Sequence, residues 1–413
     1  KKFITVIIFM FKAIVSKSQM VGESRRSASK WYAYFLAIGS LAGTIIGLGM
    51  FGIPYVAMKS GIWLTLGYIL ILGLITFLLH AMYLEITLRT KESHRFPGYV
   101  EIYLGKKWKH FSFLLGIVGA SGSLLIYTIV GGEFINILIG PVFGNSVFWS
   151  GIAFFVFGSY MIIRPFRDIG KIEAICTVLM VAAVFWFLAK GIFGGYANYD
   201  NFSSINWDEW FLPYGVILFA MGGFSMIPSL ENILDKEIKK GERIHFGKIA
   251  FWGTFIPMIV YAVFAVAVLG ITGAGTSEEA LTGLQGVFGN GLVKIAALIG
   301  FLALFTSFIA IGNDLKRNFT DDYRLPNLMS VVLTLFPPLA VFLFKIAGFI
   351  EVMGFLGGAL GVYAYVIIIL LFYRAKKNGE MTPLFSFQFP KWLACILAVM
   401  FIIAGIYTIM EML

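Results

Sequence analysis

Eleven stretches of about 20 mostly apolar residues run along this chain, and short segments that carry most of the charge separate them. A helix of ~20 apolar residues matches the hydrocarbon thickness of a lipid bilayer. We therefore predict eleven transmembrane helices, numbered spans 1 to 11 in chain order. They cover 32–58, 62–88, 111–139, 146–163, 172–192, 211–234, 247–270, 291–312, 326–346, 348–373 and 391–411.

The overall composition agrees with a membrane protein. Apolar residues make up 59% of the 413 residues, charged residues only 13%, and the mean hydropathy is +0.88. Soluble domains carry roughly 25% charged residues, so this chain lacks the polar surface that water requires. The predicted fold class is an all-α integral membrane protein, with residues 31–413 as its transmembrane domain.

The distribution of basic residues predicts the orientation. If the N-terminus is cytoplasmic, 28 of the 32 Lys and Arg residues lie inside, and only Lys59, Lys190, Lys294 and Lys345 lie outside. Cytoplasmic loops of membrane proteins carry this excess. We expect a plasma-membrane protein with an outside C-terminus. Its net charge of +10 faces the anionic leaflet, so we expect the lipid bilayer and not nucleic acid as its partner.

Residues 1–30 form a separate cytoplasmic segment in this scheme. The stretch from Phe3 to Val15 is apolar but too short to span a bilayer, and Lys12 interrupts it. Two interpretations stay open. The stretch is either an interfacial helix or an upstream extension with Met20 as the true initiator. The absence of a small-residue cleavage site argues against a signal peptide.

Motifs for catalysis or metal binding are missing from the sequence. The four histidines have no metal-ligand spacing, and both cysteines, Cys176 and Cys395, fall inside predicted spans. We expect no enzyme, no catalytic residue and no cofactor.

Spans 1 and 6 contain glycine and proline where continuous helices avoid them. Span 1 has four glycines between Gly43 and Gly52, followed by Pro54, and span 6 has Gly222, Gly223 and Pro228. Each interior glycine costs up to ~1 kcal/mol and a proline ~3 kcal/mol. Lipid cannot satisfy the freed backbone groups, so a neighbouring helix, water or a ligand must do so. We predict that both helices are broken.

The two breaks have matching sequences. Gly49-Met-Phe-Gly-Ile-Pro54 and Gly223-Phe-Ser-Met-Ile-Pro228 share one Gly-to-Pro spacing, five spans apart. An odd offset places the copies in opposite orientations, which is typical of inverted repeats in transporters. The repeats are predicted at about 32–192 and 211–373, with the helix at 391–411 peripheral.

Three stretches then resemble a known family. They are 43–54 with Lys59-Ser60-Gly61, the segment from Tyr214 to Glu231, and 304–308 (Leu-Phe-Thr-Ser-Phe). Together they resemble the amino acid–polyamine–organocation superfamily, and within it the amino acid/auxin permease branch. The resemblance implies a five-plus-five inverted repeat, the leucine-transporter-like fold. It also implies secondary active transport of amino acids by alternating access with ion coupling.

The breaks provide a site for a zwitterionic amino acid. Free amides begin the half-helix after a break, and free carbonyls end the half-helix before it. No charged side chain lies near either break, which favours a neutral substrate. The carboxylate is assigned to the amides of Gly47, Leu48 and Gly49, and the ammonium to the carbonyls of Thr44, Ile45, Phe219 and Ala220. Tyr127 in span 3 is a candidate to close over the carboxylate, and Gly222 and Gly223 are expected to leave room for a side chain.

Two coupling ions stay open. The hydroxyls of Thr306 and Ser307, with the carbonyls of Gly43 and Ile46, are a possible Na⁺ site, and the resemblance implies a sodium site on spans 1 and 8. The same hydroxyls could instead bond to their own helix. Glu133, in span 3, is the candidate for a proton site, because a carboxylate at membrane depth is usually functional.

Other functions on this fold stay open as well. A non-transporting amino acid sensor would have the same sequence features. A channel would need a pore lined by rings of charge or a filter, and no such repeat is visible. The oligomeric state is open, and a monomer is sufficient for transport in this scheme.

Overall fold

The computed structural model describes residues 22–163, 169–239, 241–242 and 244–412. Within these residues every regular element is a helix. The N-terminal stretch 1–21, with its two interpretations and Met20, lies outside the described residues. Residues 164–168, in the predicted loop between spans 4 and 5, also lie outside them. The described helices are numbered α1 to α16 in chain order.

The first half of the chain forms spans 1 to 5. Span 1 consists of α1 and α2, and spans 2, 3, 4 and 5 are α3, α5, α6 and α7 in that order. The short helix α4 lies in a segment that the sequence analysis leaves as a loop, with Pro97 in its first turn and Gly105 at its end. The bounds are α1 Gly22–Ile45, α2 Gly49–Ser60, α3 Ile62–Leu88, α4 Phe96–Leu104, α5 Lys106–Ile139, α6 Val147–Ile163 and α7 Ile169–Phe193.

The second half forms spans 6 to 11. Span 6 consists of α8 and α9, spans 7 to 9 are α10, α12 and α13, span 10 consists of α14 and α15, and span 11 is α16. The short helix α11 lies in the long loop before span 8. The bounds are α8 Leu212–Ala220, α9 Ile227–Lys239, α10 Phe246–Thr272, α11 Leu281–Phe288, α12 Asn290–Arg317, α13 Asn327–Leu343, α14 Phe349–Phe355, α15 Gly361–Asn378 and α16 Lys391–Glu411.

Eight of the described helical segments are long and apolar enough to cross a membrane, and nine if the bent pair α1–α2 is one span. Two further apolar helices, α6 and α13, are 17 residues long and stand where spans 4 and 9 are predicted. The number of crossings, eleven, therefore stays a prediction, although each predicted span coincides with helix.

Both predicted breaks are present. The axes of α1 and α2 differ by 52°, and residues 46–48 separate the two helices. In span 6, residues 221–226 separate α8 from α9 and include a single 3₁₀ turn, Phe224–Met226. The glycines and prolines thus interrupt the helices where their propensities predict.

Span 10 contains an irregularity that the sequence analysis does not predict. A π-helical turn, Leu356–Leu360, joins α14 to α15. A Cβ atom on Gly357 would lie 2.5 Å from the backbone nitrogen of Phe219, so the backbones of spans 6 and 10 are in contact here. Only glycine permits this approach, and it presses span 10 directly against the last turn of α8.

The two halves of the broken span 1, α1 and α2, pack against the long helix α10 inside the bundle. Helix α10 packs against α1, α2, α3 and α7, while α12 packs against α5 and α7. Large apolar side chains remain exposed on the outer helices, among them Leu70, Ile71, Phe157, Phe336 and Ile403. Such an apolar exterior is stable against lipid and not against water.

Candidate functional site

The two breaks touch each other. Gly49, the first residue of α2, lies against Ala220, the last residue of α8: a Cβ atom on Gly49 would be 2.6 Å from that of Ala220. Gly223, just after the break in span 6, is equally close to Ile45 at the end of α1. The start of one half-helix and the ends of two others therefore meet at one place.

The start of α2 carries unused amides. Among the described residues, the amides of Leu48 and Gly49 donate to no backbone carbonyl. The amide of Gly47, which the sequence analysis assigns to the carboxylate together with them, donates to the carbonyl of Ile45 at 2.7 Å. Leu48 and Gly49 thus retain the free N–H groups of a helix N-terminus, where an anion is stabilised.

The carbonyls at the end of α1 differ in how they are used. Within the described chain, the carbonyl of Thr44 accepts from no backbone amide. The carbonyl of Ile45 accepts two hydrogen bonds, one from Gly47 and one from the hydroxyl of Tyr261. A carbonyl oxygen has two lone pairs, so that of Ile45 is fully used and that of Thr44 is available.

The end of α8 shows a similar division. The carbonyl of Phe219 accepts the amide of Gly222 at 3.0 Å. The carbonyl of Ala220 accepts the hydroxyl of Tyr261 at 2.8 Å and keeps one lone pair. The carbonyl of Phe219 keeps one lone pair by the same count, so of the four carbonyls assigned to an ammonium only that of Ile45 is fully used.

Tyr261 is the residue at this site that the sequence analysis misses. It lies on α10, is fully buried, and its hydroxyl oxygen is 2.5 Å from the carbonyl oxygen of Ile45 and 2.8 Å from that of Ala220. The signal that identifies Tyr127 also applies to Tyr261, since each is a tyrosine in the middle of an apolar span. Only the fold shows which carbonyls it reaches.

Tyr127 lies in the same region. It is buried on α5 and is close enough to Tyr261 to interact with it electrostatically. The hydroxyl of Tyr127 thus lies in the neighbourhood of Tyr261, and its role as a substrate ligand stays a prediction.

The two glycines of span 6 differ in the space beside them. Gly222 is exposed, and a Cβ atom there would have one close neighbour, the carbonyl of Phe219 at 3.1 Å. At Gly223 a Cβ atom would lie 2.7 Å from the side chain of Ile45. Room for a substrate side chain thus exists at Gly222 only, and Gly223 is instead a packing position between spans 1 and 6.

An apolar cavity lies beside the start of α2. Its volume is about 20 Å³, and its walls include Met50, Phe51, Phe187, Phe264 and Ile299. A single water molecule needs roughly 10–15 Å³ on this measure. An amino acid side chain can therefore enter this cavity only after helices move.

The residues assigned to Na⁺ are only partly in place. The hydroxyl of Thr306 donates to the carbonyl of Ala303 in its own helix at 2.9 Å. No hydrogen bond joins Thr306 or Ser307 to span 1 within the described part of the chain. Gly43 is instead beside the hydroxyl of Thr177 on α7, which a Cβ atom on Gly43 would contact at 3.4 Å.

The backbone of span 1 nonetheless has acceptors for a cation. Over the described residues, the carbonyls of Gly43 and Ile46 accept from no backbone amide. Two carbonyl oxygens freed by one break are suitable ligands for a hard cation.

Glu133 lies further towards the predicted outer surface. It is six residues beyond Tyr127 on α5, which is about 9 Å along a helix. The charged groups that act on it are Glu279 and Glu278, in the loop between α10 and α11. It forms no ion pair with any residue that the structure describes.

Solved structures with a similar fold are known. The crystal structure of MhsT in complex with L-phenylalanine superposes with a TM-score of 0.60 at 14% identity, covering 96% of this chain and 99% of that one. Mhp1, a nucleobase-cation-symport-1 family transporter, superposes with a TM-score of 0.59 at 11% identity, covering 82% of this chain and 77% of Mhp1. These likenesses confirm the leucine-transporter-like fold.

Sequence relatives are similar over most of their length. The tyrosine-specific transport system 1 of Haemophilus influenzae is 28% identical over 370 residues, which cover 83% of this chain and 88% of the relative. The tryptophan-specific transport protein of the same organism is 25% identical, with 84% and 88% covered. The low affinity tryptophan permease of Escherichia coli is 24% identical, with 85% and 89% covered.

The family itself follows from a match over nearly the whole chain. Residues 32–409 match the model of the tryptophan/tyrosine permease family. The prediction of an amino acid transporter family is thereby confirmed, whereas the match does not establish the amino acid/auxin permease branch. This chain belongs to the tryptophan/tyrosine permease family, whose members are multi-pass membrane transporters of amino acids.

Proposed function

We propose that this protein carries aromatic amino acids across the plasma membrane by alternating access. The observation that carries the proposal is the contact between Gly49 and Ala220. It brings the free amides that begin α2 and the carbonyls that end α1 and α8 to one place. A zwitterion needs these two kinds of group, at opposite ends of a short molecule.

The backbone supplies the ligands in this scheme. The amides of Leu48 and Gly49 bind the carboxylate, because the N-terminal end of a helix carries about +0.5 of an elementary charge. The carbonyls of Thr44 and Ala220 accept the ammonium. Tyr127, which lies near Tyr261, supplies a hydroxyl for the carboxylate.

Two observations support an aromatic side chain on the substrate: the names of the relatives and the aromatic residues near the start of α2. The relatives described above are named for tyrosine or tryptophan. Beside the start of α2, the rings of Phe51 and Phe134 pack edge to face at 5.0 Å, and those of Phe51 and Phe264 at 6.0 Å. Aromatic rings favour such contacts, so an incoming ring can join this cluster when the cavity opens.

The exposed residues of span 6 indicate the side from which water reaches its break. In α9 the residues Ile227, Leu230 and Leu234 are buried, whereas Asn232 and Lys236 on the other face are exposed. Asn232 and Lys236 lie at the predicted end of span 6, and within the break Gly222 and Ser225 are exposed as well. Exposed backbone at membrane depth must face water and not lipid. We infer that the break in span 6 is open to the cytoplasm, whereas the cavity beside the start of α2 is too small for a substrate side chain.

The orientation of the chain belongs to the same proposal. In a variant with Cys176 and Cys395 replaced by Ser, a cysteine at Tyr199 or Ala274 should react with an impermeant thiol reagent applied outside intact cells. A cysteine at Lys239 should react only after the cells are opened. The reverse pattern would invert the orientation and the assignment of the open side.

For the coupling ion we propose Na⁺, held by the carbonyls of Gly43 and Ile46 with the hydroxyls of Thr306 and Ser307. The hydrogen bond from Thr306 to Ala303 is compatible with this role. It directs the proton to the helix and leaves the oxygen lone pairs for a cation. The proton alternative depends on Glu133.

Uptake by sealed proteoliposomes tests the proposed function. The purified protein is reconstituted and offered radiolabelled L-tyrosine, L-tryptophan, L-phenylalanine, L-leucine, L-lysine and L-glutamate. We expect saturable uptake of the three aromatic amino acids and little of the others. Binding without uptake would indicate a sensor, and flux that does not saturate would indicate a channel.

A further inference from the structure

We propose that Tyr261 is the positioning residue for the substrate amino group. Its hydroxyl joins the ends of α1 and α8, through the carbonyls of Ile45 and Ala220, and so directs the remaining acceptors at one point. The inference rests on the proposed function, because it assigns a role at the same site.

The first step of the argument is electrostatic. The C-terminal end of a helix carries about −0.5 of an elementary charge, and the ends of α1 and α8 lie within reach of one hydroxyl. Two like partial charges at this separation repel each other unless a donor lies between them. In the described structure Tyr261 is that donor.

The second step is the number of protons available. The hydroxyl of Tyr261 has one proton for two carbonyls, so it satisfies the pair only in part. Ala220 keeps one lone pair, and the carbonyl of Thr44 has no backbone donor among the described residues. An ammonium brings three N–H groups and a positive charge to this point, which is what the acceptors lack.

The third step is rigidity. Tyr261 is fully buried on α10, a helix that packs against α1, α2, α3 and α7. A side chain held this firmly positions the acceptors before the substrate arrives. Without the hydroxyl the two helix ends can separate, and binding must first bring them together again, which lowers affinity.

The substitution Tyr261→Phe tests the proposal because it removes the hydroxyl and keeps the ring. We expect it to weaken the binding of L-tyrosine about tenfold, which corresponds to about 1.4 kcal/mol. The loss should depend on the amino group. It should be smaller for N-methyl-L-tyrosine and absent for 3-(4-hydroxyphenyl)propionate, which has no amine, each measured by competition with radiolabelled L-tyrosine.

A matched control lies one helix away. Tyr365 on α15 is also buried, and its hydroxyl donates to the carbonyl of Leu218 in α8 at 3.2 Å. Tyr365→Phe removes the same atom beside the same helix, keeps the ring that packs against Phe224 in the break of span 6, and removes no hydrogen bond to a carbonyl of either break. It should change the affinity for L-tyrosine by less than about twofold, and both variants should keep the thermal unfolding midpoint of the natural protein to within a few degrees.

The possible results separate the two proposals. Failure of the natural protein to bind L-tyrosine or L-tryptophan would overturn the proposed function. If the natural protein binds L-tyrosine and the Tyr261→Phe variant binds it with equal or higher affinity, Tyr261 does not position the amino group. Equal weakening for the ligand without an amine would show a general structural role and would overturn the inference. If that ligand competes with neither protein, the comparison of L-tyrosine with its N-methyl form decides.

Discussion

Gly49 and Ala220 touch where the two broken helices meet, and a Cβ atom on Gly49 would lie 2.6 Å from the Cβ atom and 3.3 Å from the backbone nitrogen of Ala220. Real side chains do not come so close to a backbone, so this position requires glycine for packing. A larger residue here should therefore separate spans 1 and 6 as well as obstruct the amides assigned to the carboxylate.

Gly49→Ala should abolish uptake and lower the stability of the protein by about 1–3 kcal/mol, the usual cost of overpacking. Gly47→Ala is the matched control. A Cβ atom there would have no neighbour nearer than the carbonyl of Thr44 at 3.8 Å, so the folded yield and affinity should change by less than about twofold. For both variants, thermal unfolding in detergent measures the stability and binding of L-tyrosine measures the affinity. Equal damage from the two substitutions would contradict the assigned contact.

The buried carboxylate of Glu85 connects span 2 by hydrogen bonds to the loop before span 11. Glu85 is fully buried and accepts hydrogen bonds from Arg89 at 2.7 Å, Ser386 at 2.9 Å and the amide of Phe387 at 3.0 Å. The ammonium of Lys376 lies 3.4 Å away. Every partner points at one carboxyl group, so this cluster depends on the charge of Glu85.

Glu85→Gln should destabilise the protein by about 1.5–3 kcal/mol, because it weakens the charge-assisted hydrogen bonds that the half-buried Arg89 and Lys376 help to form. Asp235→Asn is the control, since Asp235 pairs with Lys239 at 2.8 Å on an exposed surface, where such a pair contributes about 0–1 kcal/mol. Both are measured as shifts of the thermal unfolding midpoint. Similar shifts for the two variants would refute the role given to the cluster.

Uptake should depend on Na⁺ and should lose much of that dependence in the double variant Thr306→Ala, Ser307→Ala. One break in span 1 supplies both substrate and ion ligands, so the two should bind cooperatively, with a coupling of about 1–3 kcal/mol. Uptake in choline buffer at pH 5.5 and pH 7.5 checks this. Full activity without Na⁺ that disappears in Glu133→Gln and persists in the double variant would favour proton coupling instead.

The loop between α10 and α11 should become more stable at acid pH. Loss of hydration raises the pKa of the Glu278 carboxyl above its ordinary 4.5, the carboxylates of Glu279 and Glu351 raise it further, and Lys59 opposes them. The folded state then holds a proton that the unfolded state has lost, so stability rises as pH falls through the raised pKa and levels off near the ordinary value. Glu278→Gln should raise the unfolding midpoint at pH 7.5 and leave it unchanged near pH 4. An unchanged midpoint at both values would contradict this pKa assignment.

The spans and the breaks could be predicted because local properties determine them. Apolar length sets where a helix crosses a bilayer, and Gly43 to Pro54 cannot form a regular helix at low cost. The short helix α4 was missed because charged residues surround it, and the charge pattern indicates only a cytoplasmic segment. The amide of Gly47 was misassigned because its partner, Ile45, depends on how the chain turns at the break.

Other parts of the site depend on tertiary contacts. Tyr261 bonds to carbonyls 216 and 41 residues away in the sequence, and no local pattern indicates such pairs. The π-helical turn in span 10 likewise follows from the approach of Gly357 to span 6. In sequence, Gly357 is indistinguishable from glycines that pack loosely.

Counterflow tests the transport of aromatic amino acids most directly, because it requires no knowledge of the coupling ion. Proteoliposomes are loaded with unlabelled L-tyrosine, diluted into trace radiolabelled L-tyrosine with equal ion concentrations on both sides, and sampled over time. We predict transient accumulation of label above equilibrium, which requires internal L-tyrosine and is absent when L-lysine is inside. Label that never exceeds equilibrium, or that enters equally whichever amino acid is inside, would contradict alternating-access transport of aromatic amino acids.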